Sequence, residues 1–195
     1  MSPEDRFPSY PMIPTVHKGV PGAMRIRALV IMILLVSLAA GCSNSGDSKF
    51  ERVEGLQPHS VDADLVFTNG GGSSTHSLGE LEEIEMVRTE VYEPFVEART
   101  TFEGPTVEAV VDHLGWGTDA EVQIVALNEY SYDIPISDLI EGDAVIATRE
   151  NGGSIPLEEG GPARIIFPDW SSQGAIEDAW VWSVETIEVL NGPGD

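Results

Sequence analysis

Glu121-Val122-Gln123-Ile124-Val125-Ala126-Leu127 alternates, with Val122, Ile124 and Ala126 on one side and Glu121, Gln123 and Val125 on the other. A period of two predicts a half-buried strand. Across Asn128-Glu129, Tyr130 to Ile134 can return beside it as a second strand. Working outward, Ser137-Asp138-Leu139-Ile140 predicts one helical turn before a strand over Ala144–Thr148. Asn151-Gly152 is a tight-turn signal, and Arg164-Ile165-Ile166-Phe167 is an apolar strand stopped by Pro168. A last strand is expected from about Trp180 to Leu190, with Trp180, Trp182, Val184, Ile187 and Val189 facing inward. Its change of phase near Glu185 predicts a bulge.

Towards the N-terminus, Leu65–Thr68 reads as a strand closed by a loop, Asn69-Gly70-Gly71-Gly72. No Gly-Lys-Ser/Thr follows those glycines, so they are not a phosphate loop. Ser77-Leu78-Gly79-Glu80 has the form of a capping box and predicts a short helix through Glu83, then a strand near Glu85–Val91. Thr106 caps a second helix whose Val107, Val110, Val111 and Leu114 share one face, and Gly115 ends it. Strands dominate and helices are few and short, which predicts a single, mixed, strand-rich α+β domain over residues 61–190, followed by a tail at 191–195.

A different logic governs the first residues. Met24-Arg25-Ile26-Arg27 is basic, Ala28 to Ala40 is an apolar run of 13 residues, and Leu38-Ala39-Ala40-Gly41-Cys42 ends in the chain's only cysteine. Basic, apolar, small and cysteine, in that order, is the layout of an export signal. The run falls short of the roughly 20 residues that span a bilayer as a helix. Its end resembles the lipobox of bacterial lipoproteins, which implies a signal peptide over 24–41 and lipidation of Cys42. Two acyl chains on that cysteine would hold the protein durably on the extracytoplasmic face of a cell membrane. Residues 42–60 begin polar and read as a flexible tether, of which 18 residues would reach about 25 Å. Residues 1–23 carry five prolines and no place in this scheme. They are either a mis-assigned start, with Met24 the initiator, or a disordered extension.

The chain has 33 acidic and 10 basic side chains. Glu4, Asp5, Arg6, Lys18, Arg25 and Arg27 precede Cys42, which leaves 31 acidic and 6 basic residues in the exported part. Nucleic-acid binding is excluded by that balance, because phosphate recognition needs a basic footprint. No calcium loop of the Asp-x-Asp-x-Asp-Gly type is present, and the carboxylates read as a solvated acidic surface. No cysteine remains after Cys42 to form a disulfide or ligate a metal as a thiolate. His59, His76 and His113 are scattered, and no Gly-x-Ser-x-Gly elbow supports a hydrolase.

Five segments in order resemble the sulfite-oxidase-like family of oxidoreductase molybdopterin-binding domains. They are Thr101-Phe102-Glu103-Gly104-Pro105 with the helix to Gly115; Tyr130 to Asp138; Ala147 to Leu157, around Asn151-Gly152; Gly161-Pro162-Ala163-Arg164 to Pro168; and Trp182 with Ile187-Glu188-Val189. The likeness runs from about Leu65 to Val189. It implies that family's fold, an oxidoreductase ancestry, and a cofactor cleft whose rim would include Arg88, Tyr92 and Arg149. It also exposes departures. The family's metal-ligating cysteine would fall near Thr89-Glu90, where this chain has none, and the lysine usual beside the closing tryptophan is replaced by Val181. Enzymes of the family are generally exported folded, through paired arginines, and Arg25-Ile26-Arg27 is not such a pair. The expectation is therefore a lipid-anchored domain without a metal or cofactor, acting as a binding or accessory module for a protein or small-molecule ligand. The alternative is a molybdopterin-dependent oxidoreductase lacking the thiolate. Taken as residues alone, Arg149 is a solvated hairpin charge, Arg164 a partner for nearby carboxylates, and Trp180 and Trp182 core rather than stacking platforms.

Overall fold

A computed structural model describes residues 49–57 and 59–190. The expected extension 1–23, the signal peptide 24–41, Cys42 and the tail 191–195 lie outside the described residues. In chain order the strands are β1 (Glu51–Arg52), β2 (Asp64–Asn69), β3 (Gly72–Ser77), β4 (Val87–Glu93), β5 (Ala98–Gly104) and β6 (Glu121–Ala126). After these come β7 (Ser131–Pro135), β8 (Val145–Ala147), β9 (Arg149–Glu150), β10 (Gly153–Ser154), β11 (Arg164–Ile166) and β12 (Val184–Val189). Three helices interrupt them: α1 (Leu78–Ile84), α2 (Val107–Leu114) and α3 (Ile136–Glu141). None of these helices is long and apolar enough to cross a membrane.

One sheet has the order β1-β4-β5-β9-β10, another β3-β2-β12-β6-β7, and β11 pairs with β8. Every pairing is antiparallel except β12 with β2. The alternating stretch forms β6, with Val122, Ile124 and Ala126 buried, and pairs with β7 as its pattern requires. The bulge at Glu185 is present: Val184 faces Ala126, yet Thr186 faces Val125. The core is one cluster that draws Phe67, Phe102, Ile124, Val145 and Ile187 from all three sheets.

Helix ends follow the side chains predicted for them. Ser77 accepts from the Glu80 N–H at 3.2 Å, and Glu80 accepts from the Ser77 N–H at 2.8 Å, which completes the capping box. Thr106 accepts from the Ala109 N–H, and Gly115 ends α2 at φ 68°. Gly104 is required for a different reason. A Cβ there would sit 2.0 Å from the Ile146 carbonyl oxygen, so only glycine lets β5 run this close to β8.

Three expectations need correction. Asn69–Gly72 is not a free loop: Asn69 pairs with Gly72 across Gly70-Gly71, and the chain returns as β3. β3 is a polar edge strand, so it carries no apolar alternation to reveal it. The last strand begins at Val184 rather than Trp180, because Ser183 adopts φ 52° and breaks the extended backbone. The described part of residues 42–60, expected as a flexible tether, is held on the domain. Glu51 and Arg52 pair with Arg88 and Val87 of β4, Lys49 reaches Asp143 at 2.7 Å, and the His59 ring bonds the Thr148 carbonyl. These residues look polar and linker-like in sequence, but their charges find carboxylates and backbone on the domain.

Candidate functional site

Strand alternation divides the first sheet into two faces. On β4, Val87, Thr89, Val91 and Glu93 face the core, while Arg88, Glu90 and Tyr92 face away. Thr89 stands opposite Phe102 of β5, and Arg88 opposite Glu103. Of Thr89-Glu90, near which the family's thiolate was expected to fall, Thr89 is buried on the core face and Glu90 faces away with Arg88, Tyr92 and Arg149.

That outer face carries a ladder of charge. Arg88 donates through Nε and Nη2 to Glu103 at 2.8 and 2.6 Å, and through Nη1 to Glu51 at 3.0 Å. Glu103 stands opposite Arg149 of β9. Arg149 grips Glu82 of α1 with two bonds of 2.8 Å and donates to the Gln57 carbonyl at 2.6 Å. Arg149 is buried. The solvated reading is corrected: an arginine whose fork matches a carboxylate tolerates burial. Bonds to Glu103 and to Glu82 raise the pKa of Arg88 and Arg149 respectively. Arg88 and Arg149 thus flank Glu103, the first bonded to it and the second opposite it on the next strand. Tyr92 does not join them; it is half-exposed, two rows along β4 beside Arg99 and Asp169.

On the core side lies a feature the sequence reading found only in part. Arg164 is 2 % exposed and Glu93 1 %, with 2.6 Å between Nη2 and Oε1. The expected carboxylate partner of Arg164 therefore exists, 71 residues away. Glu93 also accepts the N–H groups of Phe95 and Val96 at 2.9 and 2.7 Å. The guanidinium carbon of Arg164 lies 4.1 Å from the Trp182 ring centroid and 5.2 Å from that of Phe102. Burial lowers the Arg164 pKa against the opposing pull of Glu93. Nε of Arg164 and Nε1 of Trp182 are buried without hydrogen-bond partners. Gly160 fits here because a Cβ would stand 2.7 Å from the Trp182 ring.

A pterin phosphate is held by free cations, and a thiolate is the side chain best suited to a soft metal. All six basic side chains among the described residues are ion-paired: Lys49 with Asp143, Arg52 with Glu85, Arg88 with Glu51 and Glu103, Arg99 with Asp169, Arg149 with Glu82, and Arg164 with Glu93. Beside Arg149, a cavity of about 830 Å³ between residues 53–57, residues 59–62 and α1 is edged by Glu54, Asp62, Glu82, Glu83 and Glu85, and by no lysine or arginine. No group of three or more His, Cys, Asp or Glu converges to hold a metal among the described residues. His76 and His113, distant in sequence, come edge to face at 6.0 Å without a third ligand. The donor set does not fit the group.

A second cavity, of about 350 Å³, is lined by Phe95, Tyr130, Trp180, Trp182, Glu177 and Asp178. Nothing in the sequence pattern joins these residues, which come from three separate segments.

Comparison with known proteins places this geometry. The sulfane dehydrogenase SoxCD of Paracoccus pantotrophus has a similar structure, with TM-score 0.52 and 16 % identity over 65 % of this chain and 38 % of that one. The chain therefore matches well under half of that protein, and the likeness establishes the strand-rich α+β fold. No curated protein matches the sequence. The profile of the oxidoreductase molybdopterin binding domain matches residues 76–193, which is more than half the chain. The chain belongs to the oxidoreductase molybdopterin-binding domain family.

Proposed function

We propose that this protein is a lipid-anchored, extracytoplasmic binding module that keeps the molybdopterin-binding fold without the metal cofactor. One observation carries the reading: every lysine and arginine of the described residues is already paired with a carboxylate. The acidic balance of 31 to 6 after the cysteine adds to it, since an anionic pterin would enter a repulsive field. Attachment rests on the basic, apolar and cysteine order ending at Cys42. Among partners, the membrane is met through lipid, and the ligand is a protein or small molecule rather than nucleic acid.

A second reading, a molybdopterin-dependent oxidoreductase without a cysteine ligand, is favoured by family membership alone. Elemental analysis of protein purified from its native host separates the two. Molybdenum far below stoichiometry is expected, and one atom per chain would establish the second reading. For the anchor, Cys42→Ala should move the protein out of the membrane fraction; retention there would refute lipidation.

A further inference from the structure

We infer that the cavity between Phe95, Tyr130 and Trp182 is a binding site for a small organic cation, such as a quaternary ammonium. The inference rests on the binding-module reading and gives that module a ligand class. Exposed apolar side chains that gather around one concavity, rather than lying singly on a surface, mark a ligand-binding place. Phe95 is 48 % exposed and Tyr130 41 %, and both open on the same concavity. Val96, Leu127 and Ile176, also exposed, adjoin its lining residues in the chain. Its volume of about 350 Å³ suits a small molecule rather than a protein surface.

The chemistry of the walls selects the charge. Phe95 and Trp182 meet edge to face with centroids 5.2 Å apart, forming an aromatic corner. Tyr130 donates its hydroxyl to the Asp178 carbonyl at 3.0 Å, which fixes the ring. Glu177 and Asp178 supply two carboxylates, and no lysine or arginine lines the cavity. Aromatic rings beside carboxylates attract a cation with an apolar body and repel anions. Arg164 lies on one side of the Trp182 ring, but Glu93 neutralises it at 2.6 Å. The same Glu93 accepts the Phe95 and Val96 N–H groups, so the buried ion pair also holds the Phe95 turn in place. Burial and the nearby Asp178 raise the Tyr130 pKa, which keeps its hydroxyl protonated and donating.

The test is isothermal titration of the full-length protein in non-ionic detergent with tetramethylammonium and choline, alongside the neutral carbon isostere of choline. Saturable binding of the cations, with the isostere at least about tenfold weaker, is expected. Tyr130→Ala and Phe95→Ala should each weaken binding about threefold to tenfold. The doubly substituted E177Q/D178N protein should weaken it further and reduce its salt dependence. Asp119→Asn with Glu141→Gln, exposed acids outside the cavity lining, serves as the control and should change nothing. Equal affinity for the neutral isostere, an equal loss in the control, or no saturable binding of either cation would each overturn the inference. Stoichiometric molybdenum with intact cation binding would sink the cofactor-free reading and leave this site standing.

Discussion

Replacing Glu93 by glutamine removes one charge and almost no volume from the most buried ion pair among the described residues. The variant leaves the Arg164 guanidinium, 2 % exposed, without its counter-ion. Breaking one side of a buried pair costs about 3–5 kcal/mol, because the remaining charge stays desolvated. Here the Glu159 carbonyl and the two aromatic rings still contact Arg164, which places the expected loss near the lower end of that range. For a domain of this size, about 3 kcal/mol corresponds to a fall of roughly 10 °C in Tm. Urea unfolding followed by tryptophan fluorescence measures it, and the signal includes Trp182 itself. The double variant Glu93→Gln/Arg164→Met should recover part of the loss, since no charge is then left buried. A cost below about 1 kcal/mol for Glu93→Gln, the value of an exposed pair, would refute the argument that burial makes this contact decisive.

Gly160→Ala should destabilise by about 2 kcal/mol in the same assay, because φ is 86° and the new Cβ would press on the Trp182 ring. Ser77→Ala, which removes the cap of α1, should cost about 1 kcal/mol, and Ser77→Asp should restore most of it. Glu150 provides a pH test. Burial first, then Glu159 and Glu93, raise its pKa, with Arg164 opposing them. A folded-state pKa above the unfolded one means that the folded protein holds this proton longer, so stability falls as pH rises from the ordinary carboxylate range through the raised value. Glu150→Gln should flatten that decline and stabilise the protein most at neutral pH; unchanged denaturation profiles from mildly acidic to neutral pH would count against it.

Local signals were read from the sequence with little loss. The capping box at Ser77 and Glu80, the α2 face ending at Gly115, the β6 alternation and the Glu185 bulge each depend on residues a few positions apart. Side-chain period and backbone stereochemistry act over that range, so one chain suffices to reveal them. β3 escaped because Gly72 to Ser77 is polar on both faces, and β5 because its core-facing pair, Thr100 and Phe102, gives a single large apolar residue to mark the alternation. The same limit applied to the site: the missing thiolate and the scarcity of cations were visible in composition.

Which carboxylate takes each cation was a matter for the tertiary structure. Arg149 meets Glu82 across 67 residues and Arg164 meets Glu93 across 71. The aromatic cavity likewise gathers Phe95, Tyr130 and Trp182 from segments with no shared spacing. Composition counts charges and periodicity orients faces. Pairing a particular arginine with a particular glutamate, or closing an aromatic corner, requires distances that exist only once the sheets have packed.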